Sequence, residues 1–161
     1  MLLKIMHIDC SSGISGCGLL GAMAGLGVEL EILATEIKTV LSFPFSLKIR
    51  PIVFNGVLLR RAEIFVQGGS EYVQAESFIK HSISFEKTAL NIALQNFMAK
   101  LLKARAEISG LPCRQVLLPR SALAKMMVIA AGFFAAKQQL GISHISATPV
   151  PLPFSRHAGQ T

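Results

Sequence analysis

The residues best placed to do chemistry lie close to the start of the chain, in Asp9-Cys10-Ser11-Ser12-Gly13-Ile14-Ser15-Gly16. An apolar run, LLKIMHI, precedes them and a second, LLGAMAGLGV, follows. The order reads as strand, Gly/Ser turn, helix. A helix that starts from such a turn leaves backbone N–H groups without partners, and these attract anions, phosphate above all. Gly13 and Gly16 allow a ligand close to the backbone, and the Ser12 and Ser15 hydroxyls can donate hydrogen bonds. Asp9, at the strand end, can orient a ligand or hold a metal ion. The candidate anion- or nucleotide-binding residues are therefore Asp9, Ser12, Gly13, Ser15 and Gly16. The turn is not a P-loop, because no Gly-Lys-Ser/Thr follows it. A competing reading is purely structural: Asp9 or Ser12 caps a tight turn, as Ser and Asp commonly do.

The other reactive side chains do not group. His7, His81, His144 and His157 include no pair at the i, i+4 spacing that puts two ligands on one helix face. Cys10, Cys17 and Cys113 are odd in number and match no zinc signature. They read as reduced thiols of a cytoplasmic protein. No nucleophile elbow and no acid/base carboxylate pair is present. No catalytic residue can be named from the residues, and no metal ligand set.

Apolar residues make up 52% of the 161-residue chain and charged residues 16%, below the share of about 25% in an average soluble domain. Disorder is excluded on that balance, and one domain with a real core is expected. The net charge of +7 is spread along the chain. Its densest group, Lys100, Lys103 and Arg105, has helical spacing and no aromatics interleaved to stack bases, so nucleic acid is not expected as a partner. The longest strongly apolar run, Met126 to Ala136, is too short for a membrane span of roughly 20 residues. The opening residues carry an acid at Asp9 and are not a secretory signal. A membrane is therefore not expected as a partner either.

The elements that position the turn follow from periodicity. Residues 2–8 read as a short buried strand. Gly27 reads as a helix stop. Leu30, Leu33, Ile37 and Leu41 give a helix face over residues 29–41, which Pro44 ends. Residues 46–54 and 57–66 form a hairpin about Asn55–Gly56, with Pro51 at a sheet edge. Residues 67–74 read as a polar loop and 75–81 as a short helix. The strongest helix is 85–108, capped by Ser84, with an apolar stripe of Phe85, Ala89, Ile92, Phe97, Leu101 and Ile108, closed by Gly110 and Pro112. A second long helix spans 121–139 and stops at Gly141, and 143–150 is a final strand. The expected class is α+β: a strand–turn–helix start, a β-hairpin, two long helices and a final strand in one two-layer domain over residues 1–153. Residues 154–161 read as a truncated tail.

The stretch Ile8 to Val28, IDCSSGISGCGLLGAMAGLGV, resembles the opening of the nickel-insertion proteins of the LarC family. Asp9, Ser12, Gly13, Ile14, Ser15, Gly16, Gly21, Ala22, Leu26 and Gly27 match it. Cys17 and Gly18 stand where that family has Asp-Met. The hairpin at 46–66, the ARAEISG segment at 104–110, Leu140-Gly141-Ile142 and Thr148-Pro149-Val150-Pro151-Leu152 are similar in place and order. The family's His-any-His-Glu stretch and its two following Asp residues fall on Leu117, Pro119, Arg120, Lys125 and Ile129. Ser109 stands for a His and Arg105 for a Glu. None of these replacements suits a divalent cation.

The resemblance implies nickel insertion into a pyridinium dithiocarboxylate mononucleotide, on the way to the nickel-pincer cofactor of lactate racemase. It also implies CTP with magnesium or manganese. The residues of this chain support none of these ligands by themselves. Three roles are expected in turn. The first is the family reaction, impaired in this chain alone and needing a C-terminal region or full-length homologue. The second is a non-catalytic module for a nucleotide-like small molecule. The third is a truncated, decayed paralogue.

Overall fold

The structure, a computed structural model, describes residues 3–151. The element order is β1 (Lys4–Ile8), α1 (Gly16–Gly25), α2 (Leu30–Val40), β2 (Phe45–Phe54), β3 (Val57–Val66), β4 (Tyr72–Gln74), α3 (Ala75–Ser82), α4 (Ala89–Ser109), β5 (Leu117–Pro119), α5 (Arg120–Gln139) and β6 (Ile142–Ala147), with a 3₁₀ turn at Cys113–Gln115. The class is α+β. The strands form three separate two-stranded ladders: β1 parallel to β6, β2 antiparallel to β3, and β4 antiparallel to β5. The expected 154–161 tail lies outside the described residues.

Helix α5 is the axis of the core. Leu123, Met127, Val128, Ala131 and Ala136 are fully buried, and α1, α2 and α4 all pack against this helix. Each large apolar side chain buried there contributes about 1.5–3 kcal/mol. The small residues matter as much. A Cβ on Gly132 would stand 3.2 Å from Leu20 and 3.4 Å from Ile37, so α1 and α2 meet α5 closely at this point. Helix α2 buries Leu33, Ile37 and Leu41, the predicted face, and leaves Leu30 half-buried.

Several elements depart from expectation. Helix α4 starts at Ala89, not residue 85, and its cap is Thr88, whose Oγ1 accepts the Asn91 N–H at 3.1 Å. Ser84 is not the cap; it accepts only a 3.4 Å contact from the Glu86 N–H. The buried stripe is Asn91, Leu94, Met98, Leu102 and Ala106, while Phe85 and Ile108 are 88% and 79% exposed. The helix has apolar residues on more than one side, so periodicity alone could not choose the face. Strand β1 buries only Met6 fully. The expected loop at 67–74 ends in β4, which pairs with the unexpected β5. The last strand ends at Ala147 rather than residue 150. The hairpin turn is as predicted: Asn55 and Gly56 have φ of 50° and 76°, the geometry that a tight two-residue turn needs.

Helix α1 lies with its backbone on the hairpin. A Cβ on Gly21 would collide with the Arg60 carbonyl, whose carbon lies 2.6 Å from that position, and with Arg61 Cα at 2.8 Å. Gly25, in the same helix, has open space around it. Gly21→Ala should therefore lower stability by about 1–3 kcal/mol, the usual cost of overpacking. Gly25→Ala should be neutral or raise it by up to ~1 kcal/mol through helix propensity. Chemical denaturation of the two variants tests this; equal effects would contradict the close approach.

Candidate functional site

Strand β1 delivers its last residues to the turn, and β6 holds the turn from the side. The Thr148 N–H donates to the Ile8 carbonyl at 3.0 Å. The Cys10 N–H donates to Thr148 Oγ1 at 2.6 Å, and that hydroxyl lies 3.3 Å from Asp9 Oδ1. The same Asp9 oxygen accepts the Ser11 N–H at 2.9 Å. The Gly13 N–H closes the turn on the Cys10 carbonyl at 2.8 Å, with Gly13 at a φ of 89°. A side chain at position 13 would meet nothing but would be strained by that φ.

Ser15 then caps α1. Its Oγ accepts the Gly18 N–H at 3.1 Å, and the first turn of the helix carries no acidic residue to offset the dipole. The Gly16 and Cys17 N–H groups belong to the helix start and need partners outside the helix. Hydrogen bonds from Ser11, chiefly its backbone N–H, and from Thr148, together with the nearby His7, hold the Asp9 carboxyl below its ordinary range, against a smaller opposing effect of burial.

A cavity of about 410 Å³ opens beside this turn. Asp9, Gly13 and Ser15 line it, with His7, Gly18 and Leu26. Ser12 and Gly16, named with them from the sequence, do not line it. Gly16 faces α5 instead, where a Cβ would stand 2.5 Å from Ile129 Cγ2. A second hollow adjoins the cavity, sharing Ser15 and Gly18, and is bounded also by Arg60 and Arg61. The Arg60 guanidinium donates to the Ala24 carbonyl at 2.9 Å, in the last turn of α1 and away from its start.

His7 is the site residue that the sequence reading passed over. Alternation along β1 places positions 7 and 9 on one face, which was the available signal. Its Nδ1 lies 2.9 Å from Ser146 Oγ on β6. Cys10 is buried; Cys17 and Cys113 are half-buried against the core.

The positions where a metal site would be expected hold packing groups. Leu117, Leu118 and Pro119 form β5. The Arg120 guanidinium lies 3.3 Å from Glu71 and 5.7 Å from the Phe78 ring centre. Lys125 is exposed on α5, and Ile129 packs on the turn at Gly16. Among the described residues no three His, Cys, Asp or Glu side chains are grouped closely enough to hold a metal ion. Asp9 is a lone carboxylate with one oxygen already engaged. Alone, it offers too few donors to hold a magnesium or manganese ion without a substrate phosphate.

The family model described as "Nickel insertion protein" matches residues 6–157. The chain belongs to that family. A protein of Geobacter metallireducens named "Putative nickel insertion protein" is 27% identical over 156 residues, covering 93% of this chain and 39% of that relative. The "Pyridinium-3,5-bisthiocarboxylic acid mononucleotide nickel insertion protein" of Geobacillus kaustophilus is 24% identical over 161 residues, with the same coverage. The chain therefore spans about two-fifths of the length of the curated relatives it matches. No solved structure matches it. Among the described residues, no helix is long and apolar enough to cross a membrane.

The lowered acidity range of Asp9 sets the pH behaviour of the turn. A carboxyl whose folded value is depressed contributes stability above its unfolded value, near 4, and loses it as pH falls through the folded value. Carboxyl-detected NMR titration should find Asp9 below the ordinary aspartate range, and Thr148→Val should move it upward. An ordinary value in the intact protein would mean that the Ser11 and Thr148 bonds do not form.

Proposed function

We propose that this chain acts in nickel insertion into a pyridinium dithiocarboxylate mononucleotide, holding the nucleotide phosphate at the Asp9–Gly16 turn. The family match over residues 6–157 carries the reading. The printed name of the Geobacillus relative supplies the substrate: a pyridinium mononucleotide, hence a phosphate ester. The turn supports it with free N–H groups at the start of α1, the Ser15 hydroxyl and Arg61, which borders the same hollow as Ser15. Asp9 and His7, on the strand side of the cavity, would meet the polar parts of the ligand away from its phosphate. Nickel is the cargo of this reaction. CTP and its magnesium or manganese belong to the family reaction and to residues beyond those placed at this turn. Cytoplasm is the compartment that suits such small-molecule chemistry.

In this reading the chain alone binds and does not turn over. Leu117, Pro119 and Ile129 offer no ligand atoms, and Arg120 and Lys125 repel a divalent cation. A non-catalytic nucleotide-binding module is the second reading, and the same five residues favour it. The missing donors then come from a C-terminal region or a full-length homologue.

Nicotinate mononucleotide, a pyridinium carboxylate that carries a ribose phosphate monoester, is the probe for the turn. A saturating concentration should raise the melting temperature of the intact chain; binding at 100 times Kd is worth about 2.7 kcal/mol. The shift should vanish in Gly13→Val and Asp9→Ala, and with the nucleoside that lacks the phosphate. No shift with this nucleotide or with CTP would remove the binding role. Coloured nickel product formed by this chain alone, from precursor, nickel and CTP, would instead remove the non-catalytic reading.

A further inference from the structure

The cavity beside the turn and the hollow that adjoins it carry opposite charge. The cavity holds the Asp9 carboxylate. Its Oδ1 accepts from the Ser11 N–H and the Thr148 hydroxyl, which favours the ionised form, and its second oxygen has no partner among the described residues. Leu19, Met23 and Leu26 give the same cavity an apolar wall. The adjoining hollow, of about 400 Å³, holds Arg61. Its neighbour Arg60 is committed to the Ala24 carbonyl, whereas Arg61 has no acidic partner among the described residues.

Ser15, Gly18 and Ala22 line both spaces, so one face of α1 divides them. The divide is low. Gly18 brings no side chain to it, and a Cβ there would stand 2.9 Å from Ser15 Oγ. Ala22 adds a single methyl group. A ligand can therefore cross from one space to the other over backbone and small side chains. Together the two spaces are in the size range that receives a small molecule.

We propose that the two spaces sort the ends of the nucleotide by charge, with the pyridinium ring beside Asp9 and the phosphate beside Arg61. The inference rests on the nucleotide role proposed above and fixes which way round the ligand lies. A pyridinium mononucleotide carries its positive charge at the ring nitrogen and its negative charge on the phosphate, with the ribose between them. Asp9, the low divide at Gly18 and Ala22, and Arg61 follow in the matching order. The opposite orientation sets the phosphate against Asp9 and the ring cation against Arg61, and both contacts repel. The apolar wall of the cavity suits a flat ring, and the Ser15 hydroxyl on the divide can donate to the phosphate. The acid groups of the ligand stand on ring carbons away from the nitrogen, where His7 is the basic group of the cavity that can meet them.

Nicotinamide mononucleotide and its reduced, dihydro form share the ribose phosphate and differ chiefly in ring charge. Calorimetric titration of each into the full chain tests the inference. The oxidised form should bind about fivefold more tightly, the worth of one charge pair at ~4 Å in water. Asp9→Asn keeps an oxygen to accept the Ser11 N–H and should bring the two forms level. Arg61→Gln should weaken both forms alike and leave their ratio unchanged. Equal affinities in the wild type would mean that Asp9 meets the ribose hydroxyls; they would overturn the sorting and leave the nucleotide role standing. So would a preference that persists in Asp9→Asn, or one that is lost in Arg61→Gln. The wild-type ratio is read without any substitution, so it decides even where a variant fails to fold. Binding of neither form, nor of nicotinate mononucleotide, overturns the nucleotide role and the sorting together.

Discussion

The close approach of α1 to its neighbours is the constraint on which the rest of the structure depends. The helix touches β3 through Gly21 and α5 through Gly16, in both cases where a Cβ would collide. Gly132 of α5 repeats the device from the other side. Backbone packed this tightly leaves little freedom in where the helix starts. The start of α1 is therefore fixed relative to β3, which brings Arg61 to the hollow beside Ser15, and relative to β1, which brings Asp9 and His7 to one cavity. Glycine is unfavourable inside a helix by roughly 1 kcal/mol per residue against alanine. Helix α1 carries Gly16, Gly18, Gly21 and Gly25, and the contacts at 16 and 21 give two of them a packing reason.

The structural and functional readings of the turn are not exclusive. Asp9 caps the turn with one oxygen, which accepts from Ser11 and Thr148, and the second oxygen is not used in that way. Ser15 accepts from Gly18 and keeps its own hydrogen to donate. The same side chains thus set the backbone and still present groups to the cavity. A turn of this kind is preorganised: a ligand does not have to order it.

Much of the fold was legible because several signals agreed locally. Asn55–Gly56 between two alternating runs could only be a hairpin, and Gly110 and Gly141 end their helices with positive φ. The order of Gly and Ser in residues 9–16 placed the turn and its cap. What was not legible depended on tertiary contacts. The face of α4 is chosen by where α3 and α5 lie, not by its own pattern, so Leu94, Met98 and Leu102 were buried in place of Phe85 and Ile108. Strands β4 and β5 are three residues each and exist because they pair with each other. Nothing in composition distinguishes Ser12 and Gly16, which do not line the cavity, from Gly13 and Ser15, which do.

The residues standing where the resemblance expects ligands take part in packing instead. A buried or half-buried carboxylate or imidazole needs a partner, and a metal ion is one such partner. Replacing the set together removes that need. Ile129 meets Gly16 through alkyl contact, and Arg120 ties the start of α5 to Glu71 and Phe78. Leu118 and Pro119 pack partly against neighbours as strand residues. The arrangement supports the framework around α1 and, among the described residues, groups no three donors for a cation. Under the proposed function, the nucleotide would rest on β1 and the start of α1, elements distinct from β5 and α5, which carry Leu117, Pro119, Arg120, Lys125 and Ile129.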